Sequence, residues 1–231
     1  MTKQASELKP VLFVVTSNAV KGDTGLPTGF NLAEVTHPLE KLQAAGIRVE
    51  LASIKGGAAP LDGLEDMTDP VIARYWADAE FRYALANTLA MDHVDPSRYS
   101  AIFFAGGHGT MWDFPDNAAV QKAIREIDAA GGIVSAVCHG PAALVNACTA
   151  DGRLLVAGKR LAAFTDDEEE AVQSVDVMPF LLATTLNARG ALHQPAANWA
   201  DNVVVDGRLI TGQNPQSASS LGEALRDALL A

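Results

Sequence analysis

Short apolar runs alternate with stretches of helical period along the whole chain. Val11–Thr16 (VLFVVT) is continuously apolar and bounded by Ser17–Asn18, which predicts a buried strand. Asn31–Ala45 predicts a helix stopped by Gly46, followed by a second strand at Ile47–Ile54. Ala101–Ala105 (AIFFA), ending in Gly106–Gly107, predicts a third strand. Asp116–Ala130 predicts an amphipathic helix closed by Gly131–Gly132, and Ile133–Val137 a fourth strand that runs directly into Cys138. Strands spaced by helices predict an α/β sandwich, a parallel sheet covered on both faces. Asn202–Thr211 (NVVVDGRLIT) differs, because two apolar runs flank Asp206–Gly207 and predict a hairpin. A final helix is predicted from near Pro215 to the end.

Lys55 to Tyr99 is too long for a simple crossover. Within it Tyr75–Met91 (YWADAEFRYALANTLAM) has a helical, aromatic-rich pattern. It predicts an inserted cap beside the site, a dimer contact or an ordinary surface-packed helix. Repeats, low-complexity segments and linkers are not evident, so residues 1–231 are predicted to form one domain.

Composition narrows the partners. The 231 residues are 48% hydrophobic and carry a net charge of −11, which argues against nucleic acid or an anionic membrane surface. No apolar run approaches the roughly 18 residues of a membrane-spanning helix. The polar segment Met1–Pro10 lacks the apolar core of a secretory signal, so a cytoplasmic location is expected. The two cysteines, Cys138 and Cys148, are expected to be thiols in a reducing compartment, and no Cys/His spacing suggests a structural zinc site.

The chemistry concentrates at Ala136-Val137-Cys138-His139-Gly140-Pro141. A nucleophile on a sharp strand-to-helix turn needs small residues two positions before and after it, here Ala136 and Gly140. The following helix N-terminus is expected to lower the Cys138 pKa and favour the thiolate. Cys148, expected near the end of that helix, reads as a small structural hydrophobe. His139 is the candidate base, with an ordinary pKa of about 6.5. An acceptor that orients it is available in the run Asp166-Asp167-Glu168-Glu169-Glu170, which follows the apolar strand Leu161–Phe164 and therefore starts at the same sheet edge. The same run also suits a solvated helix start. Gly106-Gly107-His108-Gly109 follows the third strand, where glycines let backbone N–H groups approach a substrate oxygen. Asn31-Leu32-Ala33-Glu34 has the spacing of a helix capping box, which gives Glu34 a purely structural reading.

Together these residues resemble the ThiJ/PfpI superfamily, with its class I glutamine amidotransferase-like fold, and most closely its branch of glyoxalase III enzymes and heat-shock chaperones. The resemblance spans nearly the whole chain through GFNLAEVTHP (29–38), FFAGGHGTMWDFPDN (103–117), AVCHGPAAL (136–144), AFTDDEEEAV (163–172), PFLL (179–182) and VVDGRLITGQNPQSA (204–218). It implies a flavodoxin-like sheet, Cys138 as nucleophile and His139 as its base. Glu169 is the implied third member, with Glu168 the alternative under a one-residue gap. Glu34 matches the family glutamate that contacts the cysteine sulfur, and the Gly107 and His139 N–H groups match the oxyanion donors. His108, in the same turn as Gly107, is a candidate substrate contact. Where relatives follow PFLL with an acidic residue, this chain has Ala183-Thr184-Thr185, outside the catalytic set.

The implied activity is glutathione-independent conversion of methylglyoxal to lactate through a Cys138 hemithioacetal, with no metal or organic cofactor and a homodimeric assembly. The rival readings are a stress-induced holding chaperone or protein deglycase, and a cysteine-dependent hydrolase or hydratase.

Overall fold

All five residues of β1 (Val11–Val15) are buried, and the pleat divides them between two cores. Leu12 and Val14 enter one, while Val11, Phe13 and Val15 enter the other. Helices cover both sides of the strand, so its sequence is continuously apolar instead of alternating. The computed structural model describes residues 5–62 and 67–231; residues 1–4 of the polar N-terminal segment and 63–66 of the predicted insert lie outside the described residues.

Six further strands join β1 in the main sheet among the described residues: β2 (Val49–Ser53), β3 (Leu89–Ala90), β4 (Ala101–Phe104), β5 (Ile133–Val137), β6 (Val203–Asp206) and β7 (Leu209–Gly212). Their order is β6-β7-β5-β4-β1-β2-β3. All pairings are parallel except the predicted hairpin β6–β7, which turns through Gly207 at φ 63°. Phe13 lies in register with Leu51 and Phe103, and the two phenyl rings are 4.5 Å apart.

Among the described residues the α-helices longer than four residues are α1 (Leu32–Ala44), α2 (Pro70–Ala77), α3 (Ala79–Ala86), α4 (Ala118–Ala129), α5 (Asp166–Ala171), α6 (Leu182–Ala188) and α7 (Ala218–Leu230). α1 buries Val35, Leu39 and Leu42 with Leu221 and Leu225 of α7 on the Phe13 face. α4 buries Val120, Ile124 and Ile127 on the opposite face. This is the parallel sheet covered on both faces that the alternation predicted, with the flavodoxin-like form that the resemblance implied. The strand order reverses between β1 and β4, so the loops leaving their carboxyl ends diverge and open a crevice. No helix among the described residues is long and apolar enough to cross a membrane.

Three local expectations are corrected. Tyr75–Met91 is not one helix. Asp78 ends α2 and caps α3, its side chain accepting from the Glu80 N–H at 2.9 Å, and the chain then returns to the sheet as edge strand β3. The pair packs on the core beside α1, where the Tyr75 hydroxyl donates to Gln43 Oε1 at 2.7 Å. The turn after β5 leads into a five-residue 3₁₀ helix, Gly140–Leu144, and not an α-helix. Cys148 therefore lies beyond any helix, in an isolated bridge with Leu154. Finally, of the predicted strand Leu161–Phe164 only Leu161 lies in a strand, Arg160–Leu161, which pairs with Leu192–His193.

Candidate active site

Cys138 sits at φ 59°, a left-handed conformation rare for a residue with a side chain. Its neighbours fix it there. The Cys138 N–H donates to the Gly212 carbonyl on β7 at 3.0 Å, and its own carbonyl accepts from the Phe164 N–H at 2.9 Å. A Cβ at position 140 would lie 2.2 Å from the Phe104 carbonyl oxygen, so the chain can double back only at glycine.

The sulfur is buried, at 4% residue exposure. The N–H groups of Gly107 and His139 point at it and lower its pKa, but burial and the neighbouring Glu34 raise it well above the ordinary thiol value. This reverses the expectation of a thiolate. A 3₁₀ helix of five residues supplies little dipole, while desolvation acts in full. Gly107 holds its place at φ 96°, where a Cβ would meet the Gly29 carbonyl oxygen at 2.3 Å.

His139 Nδ1 lies 3.3 Å from Cys138 Sγ, and its Nε2 lies 2.7 Å from Glu169 Oε2. The other oxygen of Glu169 is 2.8 Å from His108 Nε2, and the two imidazoles pack tilted by 42° with centroids 4.4 Å apart. Burial lowers the His139 pKa to about 4, helped by His108 and opposed by Glu169. Burial pushes Glu169 upward, but the two histidines outweigh it and hold the carboxyl at about 2. An ionised carboxylate only accepts, so both Nε2 atoms carry protons and His139 Nδ1 is left as an acceptor facing the sulfur. That is the tautomer of a base. Sequence placed His108 beside the oxyanion turn as a substrate contact; its partnership with Glu169 was not legible there.

Glu168 is turned away from this chain of groups. Its Oε2 accepts from the Thr165 N–H at 3.0 Å and the Thr165 hydroxyl at 3.2 Å, completing a capping box with the Thr165 side chain. Its Oε1 accepts from the Trp199 N–H, Gln213 Nε2 and Asn214 Nδ2 at 2.9, 3.1 and 2.8 Å. The spacing Thr165-x-x-Glu168 is itself a capping-box signature, and it reserves Glu168 for the helix start. Glu169 is the carboxylate that reaches His139.

Glu34 is fully buried and forms no capping box, because the Asn31 N–H that it would bind donates to the Gly106 carbonyl at 3.1 Å. Glu34 Oε2 instead accepts from the Gly106 N–H at 2.6 Å. Its Oε1 has no partner of hydrogen-bond geometry, and the carboxyl interacts with the Cys138 thiol.

Residues 25–228 match the DJ-1/PfpI family. The chain belongs to that family. Glyoxalase 3 of Candida albicans is 32% identical over 232 residues, covering 94% of this chain and 96% of that protein. The glutathione-independent glyoxalase HSP31 of Saccharomyces cerevisiae is 34% identical, covering 96% and 98%. The crystal structure of the Candida albicans glyoxalase III superposes with a TM-score of 0.87 at 32% identity, over 95% of this chain and 96% of that one.

In this DJ-1/PfpI chain Glu34 gives a stability test. Burial pushes its pKa from 4.5 up to about 8. A carboxyl whose folded pKa is raised contributes fully below its unfolded pKa, and that contribution is lost as pH rises toward 8. The interval from 4.5 to pH 7 corresponds to about 3 kcal/mol at roughly 1.4 kcal/mol per pH unit. Glu34→Gln is therefore expected to match the wild type near pH 4.5 and exceed it by about 3 kcal/mol at pH 7 in urea unfolding. Lower stability at both pH values, as a lost helix cap would give, contradicts the assignment.

One ring nitrogen each of His108 and His139 and an oxygen of Glu169 lie within 4.8 Å of one another, a possible set of metal ligands. An ion there would have to displace the two protons that the imidazoles donate to Glu169. Phe164, read in the sequence only as the end of an apolar strand, has its ring 4.2 Å from that of His139, and Trp199, which no sequence pattern marks, meets Phe164 at 5.8 Å.

Proposed function

We propose that this protein is a glutathione-independent glyoxalase that converts methylglyoxal to lactate with Cys138 as nucleophile. The observation that carries the reading is the unbroken chain from Cys138 Sγ through His139 to Glu169, on a strained turn, in a chain that spans nearly the full length of glyoxalase relatives.

The thiol adds to the aldehyde carbon and forms a C–S bond, His139 Nδ1 carrying the thiol proton to the new hydroxyl of the hemithioacetal. Nδ1 then takes the hydrogen from that same carbon as a proton, leaving an enediolate whose charge the Gly107 and His139 N–H groups offset. Ionised Glu169 stabilises the imidazolium that results. Return of that proton to the former ketone carbon, with the hydroxyl proton of the former aldehyde carbon passing to the enediolate oxygen, gives a lactyl thioester. Water hydrolyses it and restores the thiol. The aldehyde carbon is oxidised and the ketone carbon reduced within one molecule, so the electrons balance without an external oxidant. The reaction is thus of the lyase, dehydratase-reversal type.

The purified protein, supplied with methylglyoxal and no glutathione, is expected to consume many equivalents of dicarbonyl per Cys138 at a rate that added glutathione leaves unchanged. Consumption that stops near one equivalent per reactive side chain would be scavenging and would remove the catalytic reading.

A further inference from the structure

Trp199 has φ 63°, and among the described residues only Cys138 and Gln173 share a positive φ without being glycine. A bulky aromatic residue persists in that conformation only when its surroundings impose it. Here they do. The Trp199 N–H donates to Oε1 of the fully buried Glu168, and the same oxygen gathers the side-chain amides of Gln213 and Asn214. Those amides grip the rest of the loop: Gln213 Oε1 accepts from the Ala196 N–H at 2.8 Å, and Asn214 Nδ2 donates to the Ala200 carbonyl at 2.9 Å.

The strain is not offset by burying the indole, which leaves Trp199 39% exposed. Its ring meets Phe164 edge-on, Phe164 packs against His139 with the rings tilted by 33°, and His139 touches the Cys138 sulfur. An exposed indole forced into place thus forms the outer end of a row of ring contacts that ends at the reacting thiol. Strained residues cluster at sites where the strain fixes a functional geometry. Helix α5 delivers two buried carboxylates from adjacent positions, Glu169 to the imidazoles and Glu168 to the loop that carries the indole.

We infer that Trp199 is a specificity-determining wall over Cys138, admitting 2-oxoaldehydes with a methyl-sized substituent and excluding aryl ones, and that Glu168 is its positioning residue. The substrate class rests on the glyoxalase reading; the wall itself does not, because access to the thiol is measurable without turnover.

The test compares Cys138 alkylation by iodoacetamide and by N-phenylmaleimide, followed by mass spectrometry of the Cys138 peptide. It is run beside kcat/KM for methylglyoxal and phenylglyoxal. Trp199→Gly is the informative variant, since glycine adopts φ 63° without strain and the fold is kept. The ratio of bulky to small alkylation rates is expected to rise about tenfold or more, with Trp199→Phe between it and the wild type. The phenylglyoxal-to-methylglyoxal ratio should rise in step. Glu168→Gln should raise the alkylation ratio in the wild-type background but not further in Trp199→Gly, as expected when one residue acts through the other. An unchanged alkylation ratio in Trp199→Gly overturns the wall, whether or not the protein turns over methylglyoxal. A raised ratio without turnover supports the wall and removes only the substrate class. An equal further rise in the double variant overturns the role of Glu168.

Discussion

Cys138→Ser is expected to lower kcat/KM for methylglyoxal by roughly 10⁴-fold or more, because the residues of such a unit fail together when the nucleophile is lost. The serine hydroxyl fits the left-handed turn and meets the same Gly107 and His139 N–H groups, so the fold remains. What it lacks is acidity. The buried thiol is already a weak acid, held well above the ordinary thiol value, and burial makes His139, near 4, a weak base. Sulfur still yields its proton far more readily than oxygen when attack on the aldehyde makes the transfer productive. Circular dichroism and urea unfolding should show the serine variant within about 1 kcal/mol of the wild type, as for other near-isosteric changes. A serine variant with wild-type turnover removes Cys138 from the chemistry.

Glu169→Gln is expected to lower kcat by about 10² to 10⁴-fold, through the tautomer of His139 and not through shape. Two Nε2–H donors face Glu169 in the wild type. An amide presents one accepting oxygen and one donating nitrogen, so one imidazole must move its proton to Nδ1. If that imidazole is His139, Nδ1 donates toward the sulfur and can no longer accept. A stability signature accompanies the loss. Glu169 is held at about 2 against an ordinary 4.5, so its contribution is present above 4.5 and disappears as pH falls from 4.5 through 2. Wild type and Gln variant should therefore differ at neutral pH and converge in acid. Glu168→Gln is the control, and it should keep methylglyoxal turnover within about tenfold while losing stability through its buried donors. If Glu168→Gln is the change that abolishes methylglyoxal turnover, the carboxylate assignment is wrong.

The parallel core was legible because strands buried on both faces must be apolar throughout, as Val11–Val15 and Ile133–Val137 are. The hairpin was legible through Asp206–Gly207, and the turn at Cys138 through the small residues around it. Glu34 was ambiguous for a physical reason. A capping glutamate and a buried one occupy the same spacing after Asn31, and only the bond from the Asn31 N–H to the Gly106 carbonyl separates them. The split at Asp78 was hidden inside a helical pattern because a cap residue also tolerates a helical position. The sign of the thiol shift could not be read either, since it depends on burial outweighing the N–H groups around the sulfur. Trp199 lay beyond sequence because a loop residue's φ is imposed by Glu168 and its amide partners, not by its neighbours in the chain.

The most direct test of the account is the product formed from methylglyoxal without glutathione, assayed with D- and L-specific lactate dehydrogenases in parallel for the wild type and Cys138→Ala. One enantiomer of lactate, equal in amount to the methylglyoxal consumed by the wild type and absent above background in the alanine variant, is the predicted result. Methylglyoxal consumed without lactate, or lactate formed equally by the alanine variant, would contradict it.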